Sequence, residues 1–425
     1  MDESIVAFDQ EEPKLRMTGR DTNGQRSETV RRANLSTIVR GLHLRGPMSR
    51  SELVVRTGLT RGGIRGLVGE LTAAGLVTEE RSSSPNRPGR PSPIARPRPE
   101  RAAVLALDIA VDALGVALVG FGGEVITHVQ ADRARGHLAP ERIVADLARL
   151  ARPMFARRGT EVTVIGIGVA VVGLVRASDG MVRVAPNLGW RDVPLGDLIR
   201  GALALGVPVS VANEADLGAV AEHRRGAAID VDDLLYLSGE VGVGAGVIIG
   251  GKPLAGSAGY AGEVGHIPLN PDGTVCRCGS VGCWETEVGE RALLRRGGRR
   301  PNGGRAAIHE LLGEVERSPR ARAAVTETGR WLGRGLAGLV NTFNPSMIVL
   351  GGLFGRLHAL VSTEIDDGLA RYALREARET LQIVPAVLGS DAALLGAGEL
   401  AFEPFLVDPA GWLAPRPALV TVAGA

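Results

Sequence analysis

Two stretches of this chain, beginning near residues 104 and 234, open in the same way. AVLALDIAVDALGVALVG reads as a strand, a turn and a second strand, with GGEVITHVQ as a third. LLYLSGE then starts another strand that enters a Gly-rich hairpin around 239–251. A repeated opening of this kind points to a two-lobed fold built from duplicated halves. Helical periodicity at 140–157 and near 320–343 alternates with the strands VTVIGIGVAVVG, VPVSVAN and MIVLGG, so the class is α/β. At 425 residues, more than one domain is expected. No run approaches the roughly 18–20 apolar residues of a membrane span. The acidic start MDESIVAFDQEEPK lacks the apolar core of a signal peptide, so a cytoplasmic protein is expected.

Charge is distributed unevenly. Between Arg26 and Arg98 stand fourteen arginines and five acidic residues, a local +9 in a chain whose total is only +2. Basic residues gathered at one end beside a near-neutral body form a nucleic-acid footprint. In the same region Leu35, Ile38 and Leu42 make one helical stripe. Ser49 with Glu52 three residues on is a capping box for a short helix. Gly58 breaks that helix, Thr60 caps the next, and Ile64, Leu67, Val68 and Leu71 line its inner face before Gly75 ends it. Helix, helix, tight turn, helix is the helix-turn-helix outline. With that inner face buried, Arg61 and Arg65 point outward at the start of the last helix, where side chains reach base edges in the major groove. The alternative is a solvated basic face. From Leu76 a wing strand pair follows, interrupted by the extended, basic RSSSPNRPGRPSPIARPRP.

The three cysteines, Cys276, Cys278 and Cys283, fall within eight residues and follow His266 as H-x9-C-x-C-x4-C. Four borderline-soft ligands so close in sequence fit one tetrahedral zinc ion, and Gly273, Gly279 and Gly282 let the loop curl around it. Since every ligand is a protein group, a structural site is expected.

SRSELVVRTGLTRGGIRGLVGELTAAGLV together with EVGHIPLNPDGTVCRCGSVGCWE resembles the ROK family, whose name joins repressor, open reading frame and kinase. The resemblance spans about residues 28–400. It implies a winged helix-turn-helix followed by an actin/hexokinase-like, two-lobed sugar-kinase domain. The expected division is a disordered segment 1–27, a DNA-binding domain 28–80, a wing and linker 81–101, a ROK domain 102–402 and a tail 403–425. Lobe 1 would hold 102–213 with 390–402, and lobe 2 would hold 214–389 with the zinc loop 266–283.

In this family an Arg-rich Gly-Arg-Pro segment enters or borders the minor groove, which here implies Arg87 and Arg90 as DNA contacts beside Arg50, Thr60, Arg61 and Arg65. Asn213, Glu214, Glu263, His266 and Glu285 match the sugar site, with Gly173 and Asn187 near it. His266 would ligate zinc through one ring nitrogen and meet a sugar hydroxyl with the other.

Three departures from the family pattern stand out. Glu214 replaces an aspartate base and places its carboxylate about 1.5 Å farther out. Asp108-Ile109-Ala110-Val111-Asp112 replaces the kinase Asp-x-Gly-Gly-Thr, removing both phosphate-loop glycines and adding a charge expected to repel ATP. Gly62, Gly63, Gly66 and Gly69 lie in the recognition helix, which either orders fully on DNA or allows close backbone approach.

The expected function is therefore a sugar-responsive repressor without kinase activity. It would bind double-stranded operator DNA as a homodimer or homotetramer, associate with the nucleoid, and carry one zinc per chain. The alternatives are an active sugar kinase with an attached DNA-binding domain, and an orphan regulator answering to a protein or a phosphorylated metabolite.

Overall fold

The computed structural model describes residues 22–80, 92–155 and 162–413. The head opens on helix α1 (Thr22–Arg45), whose Leu35, Ile38, Val39 and Leu42 are fully buried. After the short strand β1 (Met48–Ser49), α2 (Arg50–Thr57) starts at the expected capping box. The Ser49 hydroxyl accepts from the Glu52 amide at 3.2 Å, and the Glu52 carboxylate accepts from the Ser49 amide at 2.7 Å. Gly58 takes the left-handed backbone that makes the turn, φ 69°. Thr60 caps α3 (Arg61–Ala73), accepting from the Gly63 amide at 3.1 Å. Strands β2 (Val77–Glu80) and β3 (Ile94–Pro97) pair antiparallel, and β1 joins the far edge of β3. Together these elements make a winged helix-turn-helix.

The body contains two five-stranded sheets of identical connectivity. In the first, Ala103–Ile109 pairs antiparallel with Ala113–Gly120, which pairs with Val125–Asp132; Val164–Val171 and then Val209–Asn213 extend the other edge in parallel. In the second, Leu234–Gly239, Val243–Ile249 and Lys252–Pro253 repeat the hairpins, while Met347–Gly351 and Gln382–Pro385 repeat the parallel edge. The duplicated openings of the sequence are thus the centres of two equivalent lobes. Val164–Val171 is buried at every position, as expected for a strand covered on both faces.

Two helices lie between the sheets: Glu214–Arg225, called here the cleft helix, and Ala392–Val407, the return helix. They approach closely because Gly396 faces the cleft helix, where a Cβ would sit 2.0 Å from the Leu217 carbonyl oxygen.

Several expected boundaries are corrected. Helix α1 already begins at Thr22, within the segment 1–27 expected to be disordered; residues 1–21 lie outside the described set. Its first turns are anchored by Arg31, which pairs with Glu28 at 3.0 Å and with Glu70 of α3 at 2.5 Å. The tail expected from 403 is structural as far as Leu413, because the return helix continues to Val407 and a short helix Ala410–Leu413 follows. Phe402, Phe405 and Leu406 pack into the same hydrophobic core as Leu35, Ile38 and Leu42 of α1. The Ser36 hydroxyl donates to the Leu406 carbonyl at 2.6 Å. Strand β3 falls within 81–101, expected to be wing and linker, of which 81–91 lies outside the described set.

Candidate functional site

The four proposed metal ligands converge. One ligand atom from each of His266, Cys276, Cys278 and Cys283 lies within 4.8 Å of all the others. Cys276 Sγ is 3.7 Å from His266 Nδ1, and Cys278 Sγ is 3.6 Å from Cys283 Sγ. A zinc tetrahedron with Zn–S bonds of about 2.3 Å has S–S edges of roughly 3.8 Å. The donor set and its spacing therefore fit such an ion, and these side chains could hold one metal. The loop closes because Gly282 is left-handed at φ 70°, with a built Cβ only 1.6 Å from the Asn270 carbonyl oxygen.

With Nδ1 of His266 turned to the cysteines, Nε2 is left on the cleft side, 3.7 Å from Glu263 Oε2. Glu285 Oε1 lies 3.0 Å from Cys276 Sγ, and Asn213, Glu214, Gly173 and Asn187 line the same cleft. The structure thus brings together all five candidate sugar residues. Asn213 is also the cap of the cleft helix: its Oδ1 accepts from the Ala215 amide at 2.7 Å and its Nδ2 donates to the Gly173 carbonyl at 2.9 Å. Gly173 must be glycine there, with φ 110° and a Cβ that would fall 2.4 Å from the Val184 carbonyl. Burial pushes the Glu214 carboxyl well above its usual range, helped by the nearby Asp108 and Glu240 charges. Burial likewise raises Glu263, and raises Asp216 to about 7. A protonated carboxyl at Glu214 can donate to a sugar oxygen, an option closed to a carboxylate.

On the kinase-like nucleotide side, Asp112 is not the unopposed charge expected. Arg135 pairs with it at 2.9 Å and Arg305, from the other lobe, at 3.3 Å. Arg135 also bonds Glu290 across the cleft at 2.5 Å. Repulsion of ATP by a bare carboxylate is therefore corrected to occupation of the loop by an internal ion-pair cluster. Asp108, retained from the kinase pattern, is raised to about 7 by burial, and its Oδ1 has no hydrogen-bond partner among the described residues.

Sequence reasoning missed Arg305, Arg135 and Arg277. Arg277 bonds the Asn187 side chain across the cleft, and its place between two candidate metal-binding cysteines was the available signal. Arg305 and Arg135 carry no local motif.

In the head, Arg61 and Arg65 are exposed and make no ion pair among the described residues. Arg50 differs from expectation. It is bonded twice to Glu79 on the wing, at 2.6 and 2.5 Å, and so braces α2 against β2 instead of standing free for DNA. Thr60 uses its hydroxyl as the cap of α3. Arg87 and Arg90 lie outside the described residues. No helix among the described residues is long and apolar enough to cross a membrane.

The sequence pattern of the ROK family matches residues 104–403. A xylose repressor of Caldicellulosiruptor bescii is 33% identical over 328 residues, covering 73% of this chain and 81% of the relative. Among solved structures, a ROK family transcriptional regulator homologous to the E. coli MLC protein superposes with TM-score 0.72 at 26% identity, over 90% of this chain and 97% of that one. A ROK family glucokinase from Streptomyces griseus, in complex with glucose and AMPPNP, gives TM-score 0.60 at 32% identity, over 70% of this chain and 99% of that one.

Proposed function

The chain belongs to the ROK family, and from that premise we propose that it is a sugar-responsive, DNA-binding transcriptional repressor whose kinase-like cleft senses its ligand without phosphorylating it. The observation that carries this reading is the single hydrophobic core running from the three-helix head into the first lobe. A head packed in this way can feel the state of the cleft, whereas a head on a free linker could not. The likeness to a transcriptional regulator over 90% of the chain supports the same reading, since that span includes part of the head.

In this reading Arg61 and Arg65 read base edges from the major groove, and Arg87 and Arg90 contact DNA in or beside the minor groove. Asn213, Glu214, Glu263, His266 and Glu285 hold the sugar hydroxyls. Zinc is the metal of the His266–Cys276–Cys278–Cys283 cluster. It serves structurally, and it locks the imidazole so that Nε2 faces the ligand. Phosphoryl transfer is lost for two reasons. Asp112, Arg135 and Arg305 fill the phosphate loop with an internal charge cluster. Glu214 stands where the family has an aspartate base, and its extra methylene moves the carboxyl about 1.5 Å from that place. Two or four copies would present paired heads to paired half-sites. Sugar would act by its differential affinity for two arrangements of the lobes.

A second reading, an active kinase with a DNA head, is favoured by the likeness to a glucokinase holding glucose and AMPPNP. One experiment separates the two. The purified chain is melted with D-xylose, D-glucose, their phosphates, and ATP with magnesium, and its affinity for a duplex selected from a random pool is measured with each. Stabilisation by a free sugar with a shift in DNA affinity supports the sensor. Stabilisation by ATP, with transfer of its terminal phosphate to sugar, establishes the kinase instead.

A further inference from the structure

The cleft helix has one end in the sugar site and the other in the DNA head. Its first residues, Glu214 and Ala215, line the cleft, and its cap is Asn213. Twelve residues at about 1.5 Å rise make a rod of roughly 18 Å. Its last two residues, Arg224 and Arg225, enter a buried cluster shared by three elements. Arg225 Nε donates to Glu399 Oε1 of the return helix at 2.5 Å, and its Nη2 donates to the His43 carbonyl of α1 at 3.3 Å. That same Nη2 lies 2.9 Å from His43 Nε2. Arg224 donates to Glu399 Oε2 at 3.1 Å and also bonds Glu403, which accepts from Arg40 of α1 at 2.9 Å. His43 and Glu399 are 0% and 1% exposed. The His43 ring is held from its other side by the Gly122 amide, 3.2 Å from Nδ1, and packs on Phe402 at 4.4 Å between ring centres.

We propose that the cleft helix is the element that couples the effector cleft to the DNA head, with Arg225 as the positioning residue that ties its end to His43 and Glu399. This rests on the sensor reading above. Several features favour coupling over plain stabilisation. A buried charge cluster is a poor way to gain stability, because apolar residues of the same volume do as well or better. What such a cluster supplies is register, since its short bonds tolerate only small displacements of the elements that meet in it. Here the three elements are the head's first helix, the helix that starts at the sugar, and the last helix of the fold. The Arg225 guanidinium lies close against the Gly123 backbone, where a Cβ would fall 2.0 Å from it. A second tie runs parallel: Arg45 at the end of α1 pairs at 2.6 Å with Asp230, in the loop beyond the cleft helix. A small axial shift at Glu214 therefore reaches α1 without passing through any loop.

The test uses the full chain, a duplex that it selects from a random pool, and D-xylose and D-glucose as probes. Sugar affinity and operator affinity, with and without sugar, are measured for the wild type, Arg225→Gln and Arg225→Lys. The wild type is expected to change operator affinity by about tenfold or more on adding its sugar, in the range of allosteric couplings. Arg225→Gln should bind that sugar within about threefold of wild type yet lose most of this response, and Arg225→Lys, which keeps the charge but cannot span both partners, should fall between. A merely structural role would lower the melting temperature and leave the sugar-dependent ratio intact. A full response in Arg225→Gln overturns the proposal; if that variant does not fold, a full response in Arg225→Lys does so. A wild type that responds to neither sugar removes the sensor reading, and this inference with it.

Discussion

Arg65 and Arg50 carry the same guanidinium and meet different fates. Arg65 is exposed on α3 with no ion pair among the described residues, while Arg50 is claimed by Glu79. Arg65→Ala should therefore weaken binding to a selected operator by about 1–3 kcal/mol, roughly 5- to 150-fold, with sugar affinity unchanged. Arg50→Ala should act mainly on stability, by no more than about 1 kcal/mol for so partly exposed a pair, as read from urea melts. Glu263→Ala belongs to the cleft: it should weaken sugar binding at least about tenfold by calorimetry, the loss of one charged hydrogen-bond partner, and unchanged affinity would show the pocket to be misassigned. Spacing made His266 and the cysteines legible, because four ligands within one loop need no knowledge of the fold. The partners of Arg50 and Asp112 were hidden, since Glu79 and Arg305 stand far away in sequence and only strand pairing and lobe closure bring them near.

Among the elements, α3 is unusual for its surface. Gly62, Gly66 and Gly69 lie where an added Cβ would meet nothing within 4 Å, so packing inside the chain does not require them. The helix is nevertheless complete from Arg61 to Ala73. Gly66→Ala should accordingly stabilise the free protein by about 1 kcal/mol in urea melts. If DNA comes close to that backbone, the same change should weaken operator binding; unaltered binding would leave the glycines without a role in recognition. The loop of the His266, Cys276, Cys278 and Cys283 cluster gives the complementary case. Cys276→Ser should abolish stoichiometric zinc by metal analysis and lower the melting temperature, since the ligand set orders the loop that carries His266. The ends of α2 and α3 were readable because caps and left-handed glycines are local signals. The start of α1 and the extension past 403 were not, because they depend on Arg31 meeting Glu70 and on Phe402 and Phe405 meeting α1.

For the molecule as a whole, the carboxyls of the cleft set a pH dependence. Asp108 is raised to about 7 in the folded chain, against an ordinary value of 3.8. The folded state then holds a proton that the unfolded state releases, so this group makes stability fall as pH rises from about 4 to 7, and its cost is complete above that. Asp108→Asn should therefore match wild type near pH 4 and exceed it at pH 8, by at most about 4 kcal/mol at 1.36 kcal/mol per pH unit, in paired urea titrations. The two-lobed plan was visible in the sequence because the hairpin opening occurs twice; the junction between head and lobe was not, because no periodicity announces which surfaces will meet. That junction also bears on how such proteins could arise. Phe121, Phe402, Phe405 and Leu406 form a greasy socket for α1 on a lobe that, in a headless enzyme, would face water. Grafting this head onto such an enzyme would leave α1 against a surface never shaped to receive it, and deleting the head here would bare an aromatic patch prone to self-association. A working chimaera that keeps this head would therefore have to carry the last helix together with the first.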